Sequence, residues 1–279
     1  MSDTALQSYI DKWLAVQPQQ RIALAFVDQN TYPGHIALAA LEQEWLAAAY
    51  GIREPHVAAT KLNWWAEELS GAASSGGRHP LTHVLFDDDR AHAIAAERWV
   101  APVLAAMGQL EEGTAADFPA QVAAGSLLHG AIAELETAWW FGDKASSERA
   151  ARVATLSHML YSLLRLEEDA DRDRLALPMS RLAKFGLSRH ELREASTVRN
   201  DAVRAQLEDL HQAWRESERL PGPLSAFRGM ESRQGKTLVA KARKAADPLD
   251  VLRKGQGRQG PGVAWQAWQA AKAWRRAAN

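Results

Sequence analysis

The 279-residue sequence predicts an all-α protein. Apolar residues recur at three- and four-residue steps in its long segments, and the period-two alternation of a half-buried strand is absent. Alanine and leucine dominate over valine, isoleucine and threonine, a bias toward helix. With 47% apolar residues the chain can bury a large core. It has no cysteine, which excludes a disulfide scaffold, a thiol nucleophile and a thiolate metal site and agrees with a reducing compartment. The opening MSDTALQSYIDKWL lacks the basic start and apolar run of a signal peptide, and no apolar window reaches the ~20 residues of a spanning helix. A cytoplasmic protein without a transmembrane segment is expected.

In chain order, residues 4–27 read as helix interrupted by Pro18, with Leu6, Ile10, Trp13 and Leu14 on one stripe. Tyr32-Pro33-Gly34 reads as a turn, residues 35–50 as a second helix closed by Gly51, and Pro55 opens a third. The third carries two stripes that need covering, Leu62, Trp65 and Leu69 on one and Lys61, Trp64 and Glu68 on the other. Residues 71–80, GAASSGGRHP, are the clearest loop, and Asp87 to Asp89 form an acidic turn or helix cap. Helices resume over 91–110, 118–141 and 147–174. A charged helix follows Ser188, and Leu220-Pro221-Gly222-Pro223 breaks it. Residues 236–246 read as a basic helix, 254–262 as loose chain and 263–278 as a last helix with poorly separated faces. There Trp265 and Trp268 share a side with Lys272 and Arg276, while Trp274 points away. Docking of these tryptophans on the chain's own body is the simpler expectation, and peripheral contact with a membrane surface is the other.

The formal charge of −1 hides an asymmetry. Residues 228–279 hold twelve Lys or Arg against three acids, a balance of +9 that leaves −10 for residues 1–227. A body over 1–227 and a basic extension over 228–279 are therefore expected, the extension either covering the acidic body or reaching an anionic partner. Nothing points to specific nucleic-acid binding.

Residues 156–187 carry the most information. Leu156, Met159, Leu160 and Leu163 form an inward helical face, and the opposite side collects His158, Tyr161, Arg165, Glu168, Asp169 and Arg172. This column either lines a cavity or faces water. Arg165 stands one turn before Asp169, the spacing at which the two side chains pair. Asp169, Asp171 and Asp173 are interleaved with arginines, so a solvated charge run is the simpler reading of them than a chelate. No P-loop, dinucleotide fingerprint, nucleophile elbow or HExxH pattern is found.

Three segments resemble the squalene/phytoene synthase family: ALAALEQEW at 37–45, KLNWWAEELSGAASSGGRHPLTHVL at 61–85 and RLEEDADRDRLALPMSRLAKFGLS at 165–188. The resemblance implies a single isoprenoid-synthase bundle around a central cavity, in which two aspartate clusters on facing helices hold magnesium ions that grip prenyl diphosphates. Hard cations of this kind take carboxylate oxygens. Both clusters are damaged in this chain. Leu46-Ala47-Ala48-Ala49-Tyr50 occupies the place of the first, with Glu42 and Glu44 upstream. Aligned on Leu177-Pro178, the leading aspartate of the second falls on Arg165, while Glu168 and Asp169 survive. Mitochondrial complex I assembly factors of the same superfamily also lack these clusters.

Two functions follow from the resemblance. In the favoured one, the chain no longer condenses prenyl diphosphates and binds a lipid-like ligand or a partner protein without a cofactor, with His158, Tyr161, Arg165, Arg172, Lys61 and Trp64 as candidate binding residues. In the alternative it is a divergent prenyltransferase whose magnesium is held by Glu42, Glu44, Glu168 and Asp169. For Lys61 and Trp64, packing is the simpler role.

Overall fold

In the computed structural model, residues 2–258 and 260–278 are described, and no strand occurs among them. The N-terminal half is built from α1 (Ser2–Val16), the short α2 (Gln20–Ala23), α3 (Pro33–Leu46), α4 (Pro55–Ser75), α5 (Pro80–Phe86), α6 (Asp89–Ala93) and α7 (Ala96–Gly108). The long α8 (Phe118–Phe141) and α9 (Glu148–Ser162) pack side by side through the middle. The remainder is α10 (Met179–Phe185), α11 (Thr197–Ser217), α12 (Ala226–Ala242), α13 (Pro248–Gln256) and α14 (Pro261–Ala278).

The helices begin and end where local chemistry requires. Prolines 33, 55, 80, 248 and 261 stand at first helical positions, where the missing N–H costs nothing. Pro33 thus starts α3 within the expected turn. Side chains of Asp117, Ser196, Ser225 and Asp247 accept hydrogen bonds from backbone N–H groups of Ala120, Arg199, Arg228 and Asp250, capping α8, α11, α12 and α13. Gly186 closes α10 in the left-handed conformation at φ 62°.

Two apolar cores result. One gathers α1, α3, α4, α5, α7, most of α8, the start of α12 and α14, with Trp13, Trp45, Trp65, Trp99, Trp139, Trp140 and Trp274 among its buried residues. The other gathers α9 to α13 around Leu160, Leu163, Leu177, Leu207, Leu210 and Trp214. Gly34 lets α3 meet α8, since a Cβ there lies 2.4 Å from Trp139 Cζ2. Gly235 does the same for α12 against α11, with a Cβ 2.6 Å from Trp214 Cζ2.

The structure revises three expectations. The helix expected over 147–174 ends at Ser162 and continues as 3₁₀ turns, Leu163–Arg165 and Glu168–Asp171. Leu163, Leu166 and Asp169, three residues apart, are all buried there, and a three-residue turn stacks such positions more closely than the α-helix, which would spread them over about 120°. The boundary expected after residue 227 falls inside α12, and Arg228, Met230, Leu238 and Val239 are buried among the earlier helices. The segment expected to be loose is helical at both ends, in α13 up to Gln256 and in α14 from Pro261, although Gln259 lies outside the described residues. Cations beyond residue 227 cover acids of the body: Arg228 pairs with Glu42 and Glu136, Lys236 with Glu218, Arg243 with Glu208 and Arg253 with Glu167. Of the three tryptophans of α14 only Trp274 docks on the body, beside the buried Ala267, Ala270 and Ala271. Trp265 and Trp268 stack on each other at 4.6 Å and stay 56% and 36% exposed.

Candidate functional site

Between the two cores lie two adjoining cavities, of about 560 Å³ and about 370 Å³, which share Tyr50, His158, Ser162 and Arg165 in their walls. The larger has a size typical of small-molecule sites. Its walls come from the end of α3 and the π-helical turn after it (Ala47–Gly51), from His129 on α8, from Ser157, His158 and Tyr161 on α9, and from Arg228 and Glu231 on α12. π-Helical turns often sit at functional positions, because the extra residue re-aims a side chain. Here the turn carries Tyr50 into the seam, where its ring stacks on His158 at 4.1 Å.

Charge is arranged differently in the two cavities. In the smaller one, Asp169 is clamped by Arg165 at 3.2 Å and Arg172 at 2.8 Å, and Arg172 also donates to the carbonyl of Tyr50 at 2.6 Å. Arg174 donates to the carbonyls of Gln109 and Glu112 and lies over the Tyr50 ring. In the larger one, Arg228 is encircled by Glu42 at 2.7 Å, Glu136 at 2.9 Å and Glu231 at 2.7 Å, and Ser225 donates to Glu136. Burial and the neighbouring carboxylates Glu136 and Glu231, opposed by Arg228, push Glu42 up to about 7. Burial likewise raises Glu231. Burial alone lowers Arg228, but its three carboxylates more than offset this and hold it charged.

Two buried histidines, His158 at the seam and His129 on the wall of the larger cavity, are neutral. Burial, then the charges of Arg174 and Arg165, bring His158 down to about 3, and burial followed by His158 and Arg228 lowers His129. Their rings lie 4.8 Å apart.

Comparison with known proteins decides the family. The squalene/phytoene synthase family model matches residues 21–269. This chain belongs to the squalene/phytoene synthase family. Its fold is shared with the crystal structure of squalene synthase HpnC from Alicyclobacillus acidocaldarius, at 13% identity and a TM-score of 0.57 over 96% of this chain and 95% of that one. It is also shared with a dehydrosqualene synthase crystallised in complex with ligand, at 11% identity and a TM-score of 0.64 over 98% and 99% of the two chains. No curated protein sequence matches it.

In this squalene/phytoene synthase family member the residues singled out from sequence are not all brought together. His158, Tyr161, Arg165, Arg172, Glu42 and Asp169 line the joined cavities. Glu44 points away, because two residues along a helix turn the side chain by 200°, and it pairs with Lys61 at 2.7 Å. Trp64 is 42% exposed and edges onto Trp65 and His79. Glu168 is exposed. The family-like segment around them is a structural staple: Glu68, buried, accepts from the backbone N–H of Arg78 and His79 and from the Thr82 hydroxyl, pinning the loop to α4. Sequence reading passed over Tyr50, His129, Ser157, Arg228 and Glu231 as site residues. Ser157 was legible, standing one turn before Tyr161 on the polar column. Arg228, 186 residues from Glu42, carries no local signal.

Proposed function

We propose that this protein is not competent for head-to-head condensation of prenyl diphosphates and instead binds a lipid-like, isoprenoid-sized molecule in its central cavity without a metal. The observation that carries this reading is the clamp of Arg165 and Arg172 on Asp169. Magnesium takes six near-ideal oxygen ligands and shares them poorly with fixed cations. The residues present do not fit it: Asp169 is spent on two guanidinium groups, Glu42 on Arg228, Glu44 on Lys61, and Glu168 lies outside the cavity walls. Among the described residues no group of three or more His, Asp or Glu is placed to hold a metal ion. The same ion pairs weigh against an anionic headgroup on Arg165 and Arg172, whose charge Asp169 already balances in part. Val16, Leu46, Ala47, Ala154 and Leu164 supply the apolar wall that a hydrocarbon chain needs.

The deciding assay incubates the purified protein with farnesyl or geranylgeranyl diphosphate and magnesium and analyses the products for C30 or C40 hydrocarbons. No product is expected. Robust magnesium-dependent turnover that Asp169→Asn abolishes would establish the divergent prenyltransferase instead.

A cytoplasmic location with peripheral membrane contact belongs to the same proposal. No helix among the described residues is long and apolar enough to cross a membrane. Contact is supported by the exposed face of α14, where Trp265 and Trp268 lie beside Lys272, whose ammonium sits 4.7 Å over the Trp268 ring.

A further inference from the structure

The larger cavity contains hydrogen-bonding groups that the fold itself leaves unused. His129 is 2% exposed and neither ring nitrogen has a partner in the protein. Ser157 is 4% exposed and its hydroxyl also lacks one. Both line the cavity. Tyr161, one turn beyond Ser157 on the same face of α9, accepts from the Gln19 amide at 3.3 Å, which leaves its own proton free to donate. His158 stands beside them in the stack with Tyr50. Buried polar groups are nearly always paired, so orphans gathered on the wall of one cavity point to a polar group that arrives with a ligand.

The charge of that polar group follows from its surroundings. The imidazoles are neutral, each offering one donor and one acceptor. The cavity wall also carries Glu42 and Glu231, which with Glu136 behind them enclose Arg228, and it carries Arg165 and Arg253, which are already paired with Asp169 and Glu167. A diphosphate placed here meets Glu42 and Glu231 and finds each guanidinium already paired with a carboxylate, and an ammonium meets Arg228, Arg165 and Arg253. An uncharged oxygen meets neither penalty and satisfies the orphaned donors and acceptors.

We infer that the larger cavity is a binding site for an uncharged, oxygen-bearing apolar molecule, an isoprenoid-sized alcohol or ketone, whose oxygen is held by His129 and Ser157 with Tyr161 beside them. This rests on the metal-free binding reading above and names the ligand class.

The test uses the full chain in EDTA and titrates three probes of equal chain length, followed by tryptophan fluorescence: farnesol, farnesyl diphosphate and the oxygen-free hydrocarbon farnesene. Farnesol is expected to bind at least about tenfold more tightly than either of the others, because only it satisfies the orphaned groups without bringing charge. Ser157→Ala, a nearly isosteric change, and His129→Phe are expected to remove most of the preference for farnesol over farnesene while leaving farnesene binding in place. If His129→Phe does not fold, Ser157→Ala alone decides. Equal binding of farnesol and farnesene, tighter binding of the diphosphate, or a preference that survives Ser157→Ala overturns the inference while leaving lipid binding intact. Binding of none of the three overturns both the inference and the metal-free binding reading.

Discussion

The Arg228 guanidinium sits among Glu42, Glu136 and Glu231 with almost no access to solvent, so each carboxyl depends on it for compensation. Arg228→Met is expected to cost about 3–5 kcal/mol at pH 8, because it strands carboxylates in the interior. At pH 5.5 the loss is smaller, since the stranded groups can keep their protons in the folded state. Urea denaturation at the two pH values measures this, and an equal loss at both would mean that the cluster is not ionised. On the opposite wall, Arg165→Asp removes one arm of the clamp and adds the oxygens that the family carries there. Magnesium is expected to raise the melting temperature of this variant more than that of the parent. If it does not, the equivalence of Arg165 to the family's leading aspartate fails.

Among the elements, α3 and α8 meet over a glycine. Gly34→Ala drives a methyl group into the Trp139 ring, and overpacking of this kind costs about 1–3 kcal/mol. Unchanged stability in urea would show that α3 can shift away from α8. The outer face of α14 is the second case. Stacked, half-exposed tryptophans beside a lysine suit the boundary between headgroups and acyl chains. The protein is expected to co-sediment with vesicles containing phosphatidylglycerol, much less with purely zwitterionic ones, and Trp265→Ala combined with Trp268→Ala is expected to abolish it. Binding that ignores both lipid charge and this substitution would place the contact elsewhere.

For the molecule as a whole, burial of neutral histidines sets the response to acid. Burial holds His35 and His158 near about 3 and lowers His129. Below about 6.5 the unfolded chain takes up protons at these positions and the folded chain does not, so stability falls as the pH drops. Glu42 and Glu231 act in the opposite sense. Raised in the fold, they contribute stability below the ordinary glutamate value that is lost as the pH rises through their folded values. Five imidazoles, His79 and His211 among them, oppose two carboxyls, and the lowered Glu68 and Glu167 add to the loss once the pH nears the ordinary glutamate value. The melting temperature is therefore expected to fall by roughly 5 °C between pH 7 and pH 5, and by less in His158→Phe. A rise on acidification would give the carboxyl cluster the larger share. Truncation after residue 227 is expected to unfold the protein rather than trim an appendage, because α12 fills both cores.

What the chain by itself determined is whatever depends on near neighbours. Periodicity fixes which faces of α1 and α9 are apolar, proline and glycine mark the ends of helices, and the four-residue spacing of Arg165 and Asp169 dictates their pairing. The order of its motifs also gave the family. Only the tertiary structure decided that Arg228 belongs to the interior, that His129 and Ser157 face one cavity from different helices, and that Trp265 stays outside while Trp274 docks. The physical reason is range. Helix periodicity acts over a few residues, whereas charge compensation and cavity walls join groups nearly two hundred positions apart, and nothing local records which pairs will meet.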